Sequence, residues 1–412
     1  MTITRDKFSK LENILGYIFG ISFFINFNLS KELITGMIIV TLLRYFLYGE
    51  RLECGDKKIE KYLLFFLFGG LIWNFFAGMS FIPVRQYLKI MRWVILPFYF
   101  YPLMSRDKKY INKFSYGLFL GGVILFLKSA YEFYKAPWTR VYGFEGIDTT
   151  GFGGMVIGII GFALLLNKKE YIKKILGLAL MGIGMGLIVF TQMRSAMIGI
   201  LIGYLIVLLF SINYKKLLVL LGIMGILMGI SLKNIEHSSL KRFTTAFDTE
   251  KTLGNSSNYM RILLWKNAIW RIKEHPIMGS GTNNDKKLFL EYCYNMKEET
   301  PTEKYMKDAM IFREFSDSHN MYLNAISDNG IFSLVQFFLW FGICPYLFIK
   351  NRKSFNENIR ILNLMVGGIL ASYYFSGLTW SVWRNKWTPM IFWMSLVVLI
   401  YCYGIEKKEN NQ

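Results

Sequence analysis

The sequence predicts an all-α, polytopic membrane protein of about twelve spans with one long outer loop. Three observations carry this. Over half of the 412 residues are apolar and 17% are aromatic. Apolar runs long enough to cross a bilayer recur along the whole chain, which the core of a soluble domain does not need. Lys and Arg gather in alternate short loops, as cytoplasmic loops do. The same pattern accounts for the formal net charge of +20, so no nucleic-acid partner is called for.

In chain order, the first span covers about 13–29; Arg5, Lys7 and Lys10 precede it and no small-residue cleavage site follows, so it reads as an uncleaved span. A turn at Ser30-Lys31-Glu32 leads to the second, about 33–48. Spans three (about 62–79) and four (about 87–104) flank Pro83-Val84-Arg85, and span five takes about 114–132. Span six begins near Gly151 and ends at Lys168-Lys169; span seven (about 175–191) turns at Thr191-Gln192-Met193-Arg194-Ser195 into span eight, about 196–212. Span nine takes about 217–232, span ten runs from about Asn329 to Lys350, span eleven takes about 361–378, and span twelve ends at Lys407-Lys408. The organisation is thus 1–232 with nine spans, 233–328 as the outer loop, and 329–412 with three more, both termini inside.

No ionisable residue falls near the middle of a span; Arg44 and Lys128 lie toward span ends. Ion-coupled transporters need charge or broken helices at the midplane, so transport is disfavoured, and Gly182, Gly184 and Gly186 read as close helix packing. The four cysteines have no paired spacing, and only Cys293 falls outside, without a disulfide partner there. His237, His275 and the nearby acids lack metal-ligand spacing, so no metal is expected.

The candidate chemistry lies at the outer face. Arg85, Arg92, Arg140, Arg194 and Arg384 sit at or near outer span ends, with Arg261 in the long loop. The positive-inside tendency disfavours such placements. Arginine grips phosphate through parallel hydrogen bonds, so these residues read either as phosphate ligands or as side chains snorkelling to headgroups. Arg194, alone in a very short turn, favours the first reading. Ser257 is a plausible N-cap, with Leu264, Ala268 and Ile272 continuing an apolar stripe. That places Arg261 about one turn into a helix, where an anion is already favoured; the other reading is an interfacial helix whose Trp265 and Trp270 dip into lipid. His319, at the start of span ten, has the chemistry of a general base for a sugar hydroxyl, or of a structural hydrogen bonder. Asp317 is placed to orient it.

The order and placement of these motifs resemble the O-antigen ligase and O-antigen polymerase superfamily. The resemblance rests on a long outer loop between spans nine and ten, and on Arg261-Ile262-Leu263-Leu264-Trp265 followed by Pro276 and Gly279-Ser280-Gly281. It rests also on His319-Asn320-Met321-Tyr322-Leu323 with Gly330 eleven residues after the histidine, like the ligase H-x10-G signature. Thr191-Gln192-Met193-Arg194-Ser195 resembles the family's turn before span eight, although Gln192-Met193 departs from the usual Ser–Arg pairing.

The resemblance implies a GT-C-like, inverting glycosyltransferase in the bacterial inner membrane, with a periplasmic catalytic loop and no cofactor. The donor would be an undecaprenyl-pyrophosphate-linked glycan and, for a ligase, the acceptor lipid A–core within the membrane lipids. Arg194 and Arg261 would hold the pyrophosphate, and His319 would act as base or position the acceptor. Arg85, Arg92, Arg140, Arg384, Trp265 and Asn320 are the further candidates for substrate binding. Polymerases of the superfamily often carry two sizeable outer loops; here one is long and the other, about 133–150, is short, which favours ligase over polymerase. A lipid or glycan transporter is the remaining alternative.

Overall fold

The computed structural model describes residues 5–50, 53–106, 108–137, 139–211, 256–282, 286–297, 304–305, 307–309, 311, 317–352, 354, 356–385 and 387–409. Among them every regular element is helical. We number the helices α1 (Arg5–Ile25), α2 (Phe27–Tyr48), α3 (Lys57–Gly78), α4 (Phe81–Met91), α5 (Ile95–Arg106), α6 (Lys108–Lys135), α7 (Ile147–Leu165), α8 (Tyr171–Thr191) and α9 (Arg194–Ser211). After these come α10 (Ser256–Glu274), α11 (Lys286–Asn295), α12 (Met321–Asn351), α13 (Glu357–Ser376) and α14 (Thr388–Glu409).

Nine of the described helices are long and apolar enough to cross a membrane. The protein is a multi-pass membrane protein, and three of the twelve expected spans fall outside that set for separate reasons. The ninth, 217–232, and His237 lie outside the described residues. The second is a helix, α2, but every stretch of it long enough to span contains Lys31, Glu32 and Arg44. The fourth is broken by a 3₁₀ turn at Arg92–Val94. Pro97 explains that break: its ring collides with the carbonyl four residues back, at Trp93, and it has no N–H to give. The turn expected at Ser30–Glu32 lies instead at Asn26, whose side chain caps α2 by accepting from Leu29 N at 2.9 Å, while Ser30 sits inside the helix bonded to Ser22.

The centre of the bundle is α14, where Phe392, Trp393, Leu396, Val397, Leu399 and Ile400 are fully buried, and α7 is buried likewise, with Met155 and Ile159 against Gly199 and Gly203 of α9. α3, α6 and α8 lie outside and expose residues such as Phe65, Phe68, Leu127, Ile175 and Leu178, as lipid-facing helices do. α7 and α8 approach through glycine. A Cβ on Gly184 would stand 2.5 Å from the Gly154 carbonyl oxygen, whereas one on Gly182 would meet nothing within 4 Å.

The two ends of the bundle differ. At one end Arg44 is buried between Glu12 and Glu50, and Arg106 adds a second cation to Glu50. Toward the other end of α1, Trp387 donates its indole N–H to the Phe23 carbonyl. The guanidinium of Arg92 lies 5.2 Å from the centre of the Phe27 ring, so the break between α4 and α5 is level with the α1–α2 turn.

The packing gives a paired prediction. Gly184→Ala lowers the thermal midpoint in detergent by the equivalent of about 1–3 kcal/mol, because its methyl meets backbone that cannot swing away. Gly182→Ala, in open space on the same helix, leaves it unchanged or slightly higher.

Candidate active site

The end of the bundle carrying Trp387 also carries the residues singled out by the sequence. Three backbone hydrogen bonds join the segment after α10 to the bend in α12: Ser280 N to Ser327 O, Gly281 N to Asp328 O, and Ile331 N to Ile277 O, at 2.8–2.9 Å. Gly330 turns the chain here at φ 51°, ψ −130°, a conformation essentially confined to glycine. A Cβ on it would lie 2.1 Å from the Ile277 carbonyl oxygen. The glycine eleven residues after His319 and the Gly279-Ser280-Gly281 stretch are therefore two sides of one contact.

Asp328 strengthens that contact. It is 3% exposed, is gripped through both carboxylate oxygens by Arg384, and lies 4.0 Å from Nη1 of the fully buried Arg271 on α10. Nearby, Asn74 of α3 donates to Asn329 and accepts from Thr282 N. A cavity with room for about one water lies among Tyr87, Thr282, Asn324, Gln336 and Arg384.

α10 thus stands against α12, and a small core of Leu263, Leu264, Phe289 and Cys293 packs it against α11. The helix begins at Ser256, so Ser257 belongs to its first turn and Arg261 to its second, past the free N–H groups of the terminus. Trp270, lipid-facing in the interfacial-helix reading, has its ring centre 5.7 Å from that of Tyr292 of α11. Nε of Arg261 and Nε1 of Trp265, one turn on, are both buried without an acceptor among the described residues. Burial pushes the Arg261 guanidinium below its ordinary pKa, an effect Asp148 partly offsets. Since arginine does not deprotonate in proteins, Arg261 is a cation short of compensation.

His319 is the residue before the N-cap of α12. Asn320 caps that helix, accepting from Tyr322 N and Leu323 N, and donates to the Leu378 carbonyl. His319 itself is left-handed at φ 51°, an uncommon and costly state for a non-glycine residue. Its backbone N–H donates to Asp317 Oδ1 at 2.7 Å, and its Nδ1 stands 3.5 Å from the same oxygen. Asp317 also accepts from Asn324 and from Ser381 of the α13–α14 turn. Burial raises the Asp317 pKa, but the His319 hydrogen bond, the charges of Arg384 and His319, and the Ser381 hydroxyl outweigh it, so the carboxyl is held well below its usual range.

Arg194 opens α9 two residues after Gln192, itself left-handed at φ 51°. Its turn touches both neighbours: Met193 packs on Gly151 of α7, and Ser195 O accepts from Ser376 at the end of α13. The next residues of α13, Gly377 and Leu378, hold Met321 and Asn320, so the Arg194 and His319 loops share one support. Arg140 donates to Thr191 O at 3.2 Å, beside the same turn.

One residue that sequence reasoning left in a connecting loop brings the set together. Asp148, an exposed side chain in the first turn of α7, lies within electrostatic reach of Arg140, His319 and Arg261. The other candidates sit differently. Arg384 is engaged by Asp328 and reaches the set through Asp317; Arg92 lies over Phe27 and Trp93; Arg85 is exposed on α4.

An uncharacterized protein of Haemophilus influenzae is 25% identical over 325 residues, 75% of this chain and 77% of that protein. Residues 176–338 match the model of the O-antigen ligase family, a stretch that includes Arg194, Arg261 and His319.

The Asp317 network has a pH signature. A depressed carboxyl stabilises the fold fully above its unfolded-state pKa, about 4, and loses that contribution as pH falls through its folded value. Asp317→Asn is expected to lower the thermal midpoint at pH 7, with the gap to wild type steady down to pH 5 and closing below pH 4. A gap independent of pH overturns this. Over its central stretch, about two fifths of the chain, the protein is similar to the O-antigen ligase family.

Proposed function

We propose that the protein is an O-antigen ligase, moving a glycan from undecaprenyl pyrophosphate to a hydroxyl of lipid A–core at the periplasmic face of the inner membrane. The observation that supports this best is that the Arg194 and His319 loops rest on one support at the end of α13, with Arg140 bonded to the Arg194 turn and Arg261 holding a buried donor without an acceptor among the described residues. Cations collected where the chain leaves the bundle suit a donor whose charge rides on a membrane-borne lipid. No nucleotide sugar is needed.

In this reading Arg194 and Arg261 hold the diphosphate, and the Arg261 donor that lacks an acceptor finds one there. The acceptor oxygen attacks the anomeric carbon from the face opposite the leaving group. The new C–O bond forms as the bond from that carbon to the phosphate oxygen breaks, and the electron pair leaves with the prenyl diphosphate. The arginines offset the charge that develops on it, the largest contribution such a site makes. His319 takes the hydroxyl proton; with Nδ1 turned to Asp317, Nε2 is the nitrogen for that task. Asn320 acts by capping α12 and fixing the histidine's approach, and Trp265 contributes an apolar wall one turn from Arg261.

Deleting the gene is expected to leave core-only lipopolysaccharide while lipid-linked polymer accumulates; single repeat units on the core would assign the protein as a polymerase. Arg261→Ala and His319→Ala, expressed at wild-type level, should each lower transfer by about 100-fold or more. Full transfer by both variants sinks the proposal. Movement of the lipid across protein-only liposomes with no new glycosidic bond would instead make it a transporter.

A further inference from the structure

We infer that Asp317 is also a binding residue for the acceptor sugar: its Oδ2 accepts a hydrogen bond from a hydroxyl neighbouring the one that His319 deprotonates. The acceptor is thereby a sugar with two adjacent free hydroxyls. The inference deepens the reading above and rests on it for the reaction.

Its ground is how the contacts divide between the two carboxylate oxygens. The His319 backbone N–H, at 2.7 Å, the Asn324 amide, at 3.1 Å, and the Ser381 hydroxyl all donate to Oδ1. His319 Nδ1 approaches the same oxygen at 3.5 Å. Oδ2 accepts no hydrogen bond among the described residues. Asp328 differs, since Arg384 takes both of its oxygens. The side chains of Asp317 and His319 are nonetheless 33% and 35% exposed. Nδ1 is buried, so the exposed surface of the ring lies toward Nε2. Holding the histidine occupies one carboxylate oxygen and leaves the other beside the surface where the hydroxyl is activated.

Charge and hydrogen-bonding capacity then choose the ligand. The Asp317 carboxyl is held well below its usual range and is ionised at neutral pH. An ionised carboxylate only accepts, so it offers the donor's diphosphate no hydrogen bond. It selects a partner that brings a hydrogen, which on a sugar is a hydroxyl. Imidazole and carboxylate thus read two positions of one ring. One hydroxyl gives its proton to His319 and becomes the nucleophile; the other keeps its proton and fixes the orientation of the ring. The plainer role, orienting His319 alone, needs only Oδ1.

The test uses the full chain in nanodiscs, with an undecaprenyl-diphosphate glycan as donor. The acceptor is core lipopolysaccharide whose terminal hexose is intact or lacks one hydroxyl at a time. With the wild type, one deoxy acceptor is inert because it lacks the nucleophile. A second, deoxygenated at an adjacent carbon, is expected to show an acceptor KM about 10- to 100-fold higher, the size of a hydrogen bond to a charged group. Asp317→Asn keeps an oxygen for Ser381 and Asn324 but puts an N–H donor where Oδ2 stood. It raises the acceptor KM for the intact sugar by a similar factor and no longer distinguishes that sugar from the second deoxy form. Ser381→Ala, whose lost bond is to Oδ1, keeps the distinction. An equal KM for every acceptor that retains its nucleophile overturns the inference on the wild type alone, whatever the folding of the variants. So does an Asp317→Asn protein that loses kcat yet still discriminates, which assigns the carboxylate to His319 only. Transfer persists in both cases and the proposed reaction stands. Absence of transfer by the wild type to any of the acceptors removes the reaction and this inference together.

Discussion

The contact between residues 277–281 and 327–331 is the constraint on which the site depends. α10 carries Arg261 and α12 follows His319, and the two helices come from stretches of chain separated by an outer segment. The apolar core that α10 shares with α11 is small, with Leu263, Leu264, Phe289 and Cys293 as its buried members. Polar joints therefore set the register. Three backbone hydrogen bonds fix the segment after α10 against the bend of α12, and Asp328 joins Arg271 of α10 to Arg384 of the outer turn. Removing one member of such a buried set strands the others at a cost of about 3–5 kcal/mol. The arrangement is directional where a hydrophobic contact is not, which suits a helix that must present one guanidinium at one place.

The two ends of the bundle use charge in opposite ways. At the Glu12 end two arginines meet two glutamates and the set is neutral. At the His319 end Arg384 grips Asp328 and also acts on Asp317, Arg271 approaches Asp328, and Arg140 and Arg261 have Asp148 as an acid within reach but out of contact. The backbone is strained at the same end: Gln192, two residues before Arg194, and His319 itself are both left-handed without being glycine.

Much of this was legible in the sequence, because bilayer length and the distribution of Lys and Arg constrain a membrane protein strongly. The helical class and most spans follow from local pattern. What local pattern misses is partnership. Gly330 reads as a motif residue, but its reason is the Ile277 carbonyl, more than fifty positions away in the chain. Trp270 reads in one of two ways as a lipid anchor, and its ring meets Tyr292 of α11. Asp148 reads as loop polarity because its neighbours Arg140, Arg261 and His319 come from three other segments. Asp328 carried one signal that was passed over: an acid at the foot of an apolar run is expensive and so has a partner.

The break in the fourth span shows how a local rule and a global placement combine. Pro97 alone decides that the helix must be interrupted near Trp93, but not at what depth. Depth follows from contacts: Arg92 lies over Phe27 at the α1–α2 turn, and Tyr87 of α4 donates to the Phe66 carbonyl of α3. α4 then continues along α3 toward the end that bears the site, where Pro83 packs against Gly281. A break at the middle of the bundle would have opened backbone groups to a transported ion, as in transporters with discontinuous helices. A break level with the turn instead lets α4 serve as a wall for the α10–α12 joint, so the proline acts on the site's support and the chemistry stays with the cations.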